Sequence, residues 1–267
     1  MADDSSPRRR SSDEGRPSGG RGVLRGIGRW LAEFLIILLI AIVITSFVRA
    51  LLIQHYRVPS ESMEQTLLGT DDSLGRQGDT ILTWKPGAPQ RGDIVVFRDD
   101  LGWLGPLPEE PPTWKKVLGW IKVMSPPDEQ YLVKRLIGLP GDHVTCCDAS
   151  GSVTVNGAAL DESQYLYYQN AAAAQIPFDL VVPEGRIFVM GDHRDRSADS
   201  RYHMCQGTQP TPELTFPSID SIQGKVFGVM LPLPRLRTFS IPSAYADVPA
   251  STTPAPSPTA EQWTCPR

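Results

Sequence analysis

The stretch Tyr131–Ile137, with the sequence YLVKRLI, decides how the chain folds. Its apolar residues and the Gly-Leu-Pro-Gly turn at 138–141 indicate a β-strand. Side chains alternate along a strand, so Leu132, Lys134 and Leu136 share one face, and a charged amine lies among apolar neighbours. Such a lysine is commonly an edge-strand gatekeeper or a snorkelling side chain. Burial is also what a lysine needs in order to act as a base.

Other short strands lie before and after this one, each bounded by Gly, Pro or Asp. The clearest are Ile81–Trp84, Ile94–Phe97, Val153–Val155, Ile187–Met190 and Lys225–Met230. The chain also contains 25 Pro and 23 Gly, which favour turns over a helical bundle. We therefore predict a mainly β domain over residues 54–240.

An apolar segment precedes this domain. Residues 30–48 form a window in which Phe34–Ile44 contains no polar residue, and a membrane span needs about 20 residues. The window predicts one transmembrane helix. A cleaved secretory signal is the alternative, but its apolar region would be about 7–15 residues long, and here Arg49 would lie beside the cut.

The charge distribution predicts the orientation of this helix. Residues 1–29 form a polar tail that contains seven arginines and four acidic residues, and we expect it to be disordered. Basic residues favour the cytoplasmic side, which predicts a single-pass plasma-membrane protein with its N-terminus in the cytoplasm and its β domain outside. The whole chain has a net charge of −4, so the remainder after residue 29 is acidic, which argues against nucleic acid as a partner.

The composition of two further segments predicts features of their structure. Trp103–Met124 combines tryptophans and lysines with apolar residues, and it is either an inserted loop or an amphipathic element on the bilayer surface. Residues 243–267 are rich in Ala, Pro, Ser and Thr, and we predict a flexible tail.

The four cysteines are Cys146, Cys147, Cys205 and Cys265. No second pair with C-x-x-C spacing accompanies the vicinal pair, so we predict no metal site. In an exported domain we expect a disulfide between Cys205 and either Cys146 or Cys147, with free buried thiols as the alternative.

A candidate nucleophile lies shortly after the apolar window, in the segment Val58–Leu67. Its Ser60 or Ser62 could merely cap a helix, since serine is a poor nucleophile until a base removes its proton. None of the four histidines lies in a G-x-S-x-G context, which leaves Lys134 as a candidate base. Its pKa of about 10.4 must then fall by about 3 units, and desolvation on an apolar strand can cause such a shift.

Four segments in order resemble the boxes of the type I signal (leader) peptidases. The family shows P-S-x-S-M-x-x-T-L, G-D-I/V-V, V-K-R-x-I-G-x-P-G-D and G-D-N-R-x-x-S-x-D-S-R behind a transmembrane helix. In this chain the boxes are Pro59–Leu67, Gly92–Val95, Val133–Asp142 and Gly191–Arg201. Each box alone is moderately specific, whereas four in order behind an anchor are highly specific. The resemblance implies a signal-peptidase-type β-sheet catalytic domain, with a smaller β insertion at about 143–183.

The resemblance also implies a catalytic role for four residues. Ser62 matches the nucleophile and Lys134 the general base. Ser60 matches the serine whose hydroxyl forms the oxyanion hole together with the Ser62 N–H group. Ser197 matches the serine that orients the lysine amine. The family uses no cofactor or metal.

Charged residues of the last two boxes are expected to support this site. Asp199 matches a residue that the integrity of the last box requires. We predict ion pairs between Arg135 and Asp192 and between Asp199 and Arg201. The residues Pro59, Met63 and Gly141 are expected to shape the site.

The boxes depart from the family pattern at four positions. Glu61 stands where many members have Gly, which calls into question any need for a positive φ there. Gln65 replaces a frequent Pro, and His193 and Arg196 replace Asn in the last box. His193 also permits a Ser-His mechanism as an alternative to Ser-Lys.

The activity that the resemblance implies is removal of signal peptides from exported preproteins. The expected partners are such preproteins, the lipid bilayer and the secretion translocon. Two other classes stay open: the Ser-Lys self-cleaving repressors, which share the catalytic fold, and a non-enzymatic anchored β domain. The anchor and the Gly191–Arg201 box argue against the repressors.

Overall fold

The computed structural model describes residues 20–106, 112–114, 129–167 and 176–257, together with residues 263 and 265. The chain divides into two compact units, with the boundary between Thr45 and Ser46. Helix α1 covers Gly20–Leu51. Its part Arg29–Val48 is long and apolar enough to cross a membrane, and none of it is buried inside the protein. The one acidic residue in this span, Glu33, pairs with Arg29 one turn earlier, at 3.0 Å.

The rest of the described chain is mainly β, as predicted. A second, short helix α2 covers Pro212–Thr215. The strands are β1 Ile53–Arg57, β2 Thr80–Trp84, β3 Ile94–Arg98, β4 Tyr131–Gly138, β5 His143–Cys146, β6 Val153–Val155, β7 Ala158–Ala159, β8 Phe178–Val181, β9 Phe188–Met190, β10 Cys205–Gln206, β11 Gln209–Pro210, β12 Ile222–Leu231 and β13 Arg237–Thr238.

A seven-stranded antiparallel sheet forms the main body of this unit. Its order is β1-β2-β12-β3-β4-β9, and β13 pairs with β12 beside β3. All strands predicted from the sequence are present, with bounds that differ by a few residues. The strands that the sequence did not reveal are mostly very short ones, whose extended backbone depends on pairing with a neighbour.

A second antiparallel sheet corresponds to the expected insertion. It has the order β7-β6-β5-β8 and spans His143–Val181. Gly138 lies at its junction with β4, where a Cβ atom would come within 2.8 Å of methyl groups of Val144 and Val182. Only glycine lets the two sheets approach each other this closely.

Strand β4 lies between β3 and β9, and its register pairs Lys134 with Val95. Val95 and Leu136 belong to one buried apolar cluster, against which Leu132 also packs, whereas Val133 belongs to a different cluster. The predicted alternation is therefore confirmed. Lys134 projects from the same face as Leu132 and Leu136.

The predicted cysteine pairing is wrong. Cys146 bonds to its neighbour Cys147, and Cys205 bonds to Cys265. The bond between Cys205 and Cys265 joins residues 60 positions apart, a pairing that spacing alone does not reveal.

The predicted flexibility of residues 243–267 is also wrong for the part that the structure describes. Tyr245 is only 7% exposed and belongs to a core cluster, against which Trp263 packs. Composition suggested a free tail because the segment is rich in small residues and Pro, but two aromatic side chains hold it against the domain.

Most of the segment 103–124 lies outside the described residues. Within it, Trp103 packs on the apolar cluster of Val95 and stacks on His203, with ring centroids 4.4 Å apart. Its indole N–H donates to the Leu214 carbonyl at 2.8 Å. For this tryptophan the structure supports a role in the core rather than contact with a bilayer.

Candidate active site

Ser62 lies on the short 3₁₀ turn Glu61–Met63 and is buried. Its hydroxyl accepts a hydrogen bond from the Lys134 Nζ atom at 2.6 Å, across 72 residues of sequence. The exposed Ser60 donates to the same oxygen at 3.3 Å. The Ser62 carbonyl accepts from the His193 N–H at 3.0 Å, which fixes the turn against the last box. The structure thus brings together segments that are far apart in the sequence.

Burial changes the ionisation of the Lys134 amine. The side chain is 3% exposed, and desolvation lowers the pKa of Lys134 to about 8. The carboxylates of Asp199 and Asp192 oppose this shift, and Arg201 reinforces it. The uncharged form of the amine is therefore accessible near neutral pH.

Gly191 allows the last box to pack against the nucleophile turn. A Cβ atom there would lie 2.3 Å from the Ser197 Oγ atom and 2.5 Å from the Ser62 carbonyl oxygen. The Ser197 Oγ atom is buried, but within the described part of the chain no hydrogen bond joins it to the Lys134 amine. The orienting contact implied by the resemblance is thus not formed, because the amine is directed at Ser62.

Arg135 and Asp192 form one of the two predicted ion pairs. The guanidinium donates twice to the carboxylate, at 2.8 and 2.6 Å, and both side chains are almost fully buried. Arg135 also donates to the Gly92 carbonyl at 2.8 Å, and Thr66 donates to Asp192 at 2.5 Å. The pair therefore links all four boxes.

Asp199 and Arg201 form the second predicted pair, with contacts of 2.8 and 2.9 Å. Asp199 also accepts from the Gly191 N–H at 2.9 Å, and Arg201 donates to the Arg194 carbonyl at 3.0 Å. Burial alone would raise the pKa of Asp199, but the charge and hydrogen bonds of Arg201 outweigh it and hold that pKa below its usual value. Asp199 thus stays ionised in the interior.

Sequence reasoning missed a third buried pair, Arg194 with Glu162. Glu162 lies in the smaller sheet region, where nothing in its sequence context distinguishes it from a surface glutamate. The Arg194 Nε atom donates to the Gly191 carbonyl at 3.1 Å, so this pair also contacts the last box. Nothing in the sequence indicates this pair, because the two residues become buried partners only when the chain folds.

Two of the departures from the family pattern contact each other. Glu61 forms an ion pair with Arg196, so two unusual residues contact each other. Asn156 is the one non-glycine residue of the described chain with a positive φ, so Glu61 needs none. The exposed Gln65 lies beside the cavity around Arg135.

The geometry does not favour His193 as the base. Its ring stacks on Tyr167 at 4.1 Å, and its Nδ1 atom faces the Glu64 carboxylate at 3.5 Å. The hydroxyl of Ser62 is occupied by Lys134 and Ser60 instead. Within the described residues, no three His, Cys, Asp or Glu side chains are grouped as metal ligands would be.

Comparison with known families agrees with this arrangement. The family described as "Signal peptidase, peptidase S26" matches residues 30–231, which include every box named above. The chain belongs to this signal peptidase family. Its members are serine endopeptidases, and the N-terminal apolar helix together with this membership indicates a membrane-anchored enzyme.

Similar relatives are named signal peptidase I. The signal peptidase I of Mycobacterium tuberculosis is 34% identical over 72% of this chain and 67% of the relative. A probable signal peptidase I of Mycobacterium leprae is 36% identical over 67% of this chain and 65% of the relative. This chain thus spans about two thirds of the length of each relative. A crystal structure of a signal peptidase I from Enterococcus faecalis covers 52% of this chain and 97% of its own, at 27% identity and a TM-score of 0.32, too low to support an argument about the fold.

The buried pair generates a stability prediction. Asp192→Asn leaves the Arg135 charge without its partner in the interior, and we expect the free energy of unfolding to fall by about 3–5 kcal/mol. The measurement is urea unfolding of the detergent-solubilised protein, followed by tryptophan fluorescence. Arg98→Gln is the control, because the partly exposed Arg98–Glu129 pair at 3.9 Å contributes at most about 1 kcal/mol. Equal losses in the two variants would contradict the role of the buried pair.

Proposed function

We propose that this protein removes signal peptides from exported preproteins by acyl transfer, with Ser62 as nucleophile and Lys134 as general base. The observation that carries the proposal is the 2.6 Å hydrogen bond between a buried amine and the Ser62 hydroxyl. A serine needs an adjacent base to react, and an amine with a pKa of about 8 provides one near neutral pH.

The reaction proceeds in two halves. Neutral Lys134 takes the Ser62 proton while the serine oxygen attacks the peptide carbonyl. Donation from the Ser62 N–H and the Ser60 hydroxyl stabilises the oxyanion. The lysine then passes the proton to the leaving amine, which is the new N-terminus of the mature protein. In the second half it activates a water molecule, which hydrolyses the ester on Ser62.

Ser60 is placed for the oxyanion role because it is exposed and close to the nucleophile. Its hydroxyl lies 3.3 Å from the Ser62 oxygen, on the turn that carries the nucleophile. When the substrate carbonyl arrives, the hydroxyl can donate to the oxyanion instead. Ser197 stays a proposed positioning residue of the lysine, to be reached by a side-chain movement on substrate binding.

The substrate is an extended segment with small residues at the first and third positions before the cut. It would bind as an added β-strand, whose alternation directs these two side chains to the same wall. Such a substrate would need a strand edge or an extended loop beside Ser62.

The membrane anchor brings the site to the place where signal peptides end. Seven arginines precede the apolar span, and this charge bias supports a cytoplasmic N-terminus with the catalytic domain outside. The bilayer and the secretion translocon are then the surroundings in which the enzyme meets its substrates.

The catalytic proposal predicts which lysine and serine the reaction needs. Ser62→Ala and Lys134→Ala should each lower the rate of preprotein cleavage by at least about 10³-fold, because either change removes half of the nucleophile–base pair. The assay is cleavage of a purified preprotein in detergent, with the N-terminus of the product sequenced. Lys225→Ala is the matched control, since the amine of this partly exposed lysine donates to the Ala88 carbonyl rather than to Ser62. Wild-type rates for the Lys134 variant would refute the mechanism.

The lysine base also predicts a pH dependence. Only the deprotonated amine accepts the serine proton, so activity is lost as pH falls through the pKa of Lys134, about 8, and is full above it. We expect kcat/KM to rise about tenfold per pH unit below about pH 7 and to level off above about pH 9. A rate that is already constant between about pH 5 and about pH 7 would argue for a different base.

The proposed orientation is testable in intact cells. Protease added outside should remove an epitope tag placed at the C-terminus and leave a tag at the N-terminus intact, because only the catalytic side is exposed. Permeabilised cells are the control and should lose both tags. Protection of the C-terminal tag in intact cells would show the opposite orientation.

A further inference from the structure

The segment that follows strand β13 contacts residues that support the active site. The turn Ser243–Tyr245 directs the Tyr245 side chain into the interior, where it is 7% exposed. This tyrosine lies outside the four boxes that resemble the family and after the last matched residue, 231. The boxes that resemble the family therefore do not account for its burial.

The ring of Tyr245 packs directly on Gly92. A Cβ atom at position 92 would lie 2.6 Å from the tyrosine Cδ2 atom, and the φ of Gly92 is +86°. The carbonyl of this glycine accepts the 2.8 Å hydrogen bond of Arg135, the residue next to Lys134. The ring thus holds a backbone group that positions the catalytic strand.

The hydroxyl of Tyr245 begins a chain of buried hydrogen bonds. It lies 3.0 Å from the Tyr165 hydroxyl, which donates to Glu162 at 2.8 Å. Burial raises the pKa of both tyrosines, so both hydroxyls stay protonated. Because the single proton of Tyr165 goes to the Glu162 carboxylate, the proton of Tyr245 must go to the Tyr165 oxygen.

This chain of hydrogen bonds ends at the last box. Glu162 pairs with Arg194, whose Nε atom donates to the Gly191 carbonyl at 3.1 Å. The Arg135 guanidinium also lies over the Tyr165 ring, with its Cζ atom 4.0 Å from the ring centroid. Gly191 in turn contacts the Ser62 turn and Ser197.

The remainder of the segment is fastened to the domain at several points. Pro249 and Pro256 accept hydrogen bonds from Asn156 and Glu184, at 2.9 and 3.1 Å. Trp263 donates to the Met204 carbonyl at 3.0 Å, beside the disulfide between Cys205 and Cys265. These attachments at and beyond position 249 help to keep Tyr245 in place.

We propose that Tyr245 is a positioning residue of the peptidase reaction, which acts through Tyr165, Glu162 and Arg194 to hold the last box against Ser62. The proposal rests on the function proposed above. It assigns to the C-terminal segment a part in catalysis rather than in solubility or attachment alone.

The experiment compares full-length wild type with Tyr245→Phe, which keeps the ring on Gly92 and removes only the hydroxyl. Cleavage of a preprotein gives kcat and KM, and the acyl-enzyme burst gives the number of active sites. We expect kcat per active site to fall roughly 3–10-fold with KM changed less than about twofold. Tyr202→Phe is the matched control, because Tyr202 is 66% exposed and should retain wild-type kcat.

A double variant tests whether the effect of Tyr245→Phe on kcat depends on Tyr165. Adding Tyr245→Phe to Tyr165→Phe should change kcat by less than about twofold, because the acceptor of the Tyr245 proton is already gone. An unchanged kcat in Tyr245→Phe, a loss explained by fewer active sites, or full additivity with Tyr165→Phe would each overturn the proposal. If wild type cleaves no faster than Ser62→Ala, the proposed function itself fails instead.

Discussion

An amine removed from water and hydrogen-bonded to a serine hydroxyl is the arrangement on which the rest of this catalytic domain depends. A buried charge is costly, so the amine at Lys134 loses its proton more readily than a lysine in water. Nearby carboxylates work against this, because each favours the charged amine. In the structure Asp192 pairs with Arg135 and Asp199 pairs with Arg201, so that each carboxylate has its own cation. Of the two arginines, Arg201 also lowers the pKa of Lys134, and both ion pairs hold the loop in shape.

Strand geometry lets two adjacent cations serve opposite purposes. Side chains alternate along β4, so Lys134 faces the serine and Arg135 faces the other side of the strand. The lysine loses its charge in an apolar site, whereas the arginine keeps its charge because a carboxylate and a carbonyl surround it. A shift of register by one residue would exchange the two and remove the base from the site.

Two ion pairs join the last box to other parts of the domain. Glu61 pairs with Arg196 at the rim, and Arg194 pairs with Glu162 beneath the last box. The C-terminal segment extends this network, since Tyr245 reaches Glu162 through Tyr165. The active-site loop is therefore supported by residues from the insertion and the C-terminus, which lie outside the recognisable boxes.

The sequence by itself determined the β class, the apolar anchor, the strand that carries Lys134 and the two ion pairs within the boxes. The class, the anchor and the strand depend on local patterns, namely alternation along a strand and a long apolar run, whereas the two ion pairs were inferred from the boxes that resemble the family. The disulfides, the packing of Tyr245 and Trp263, the Arg194–Glu162 pair and the direction of the Ser197 hydroxyl were decided only by the tertiary structure. Apart from the bond between the neighbours Cys146 and Cys147, each of these joins residues that are distant in sequence or depends on which side of a loop faces the interior. Composition predicted a free tail because it counts prolines and alanines, whereas burial of one tyrosine ring against a glycine depends on the three-dimensional position of both.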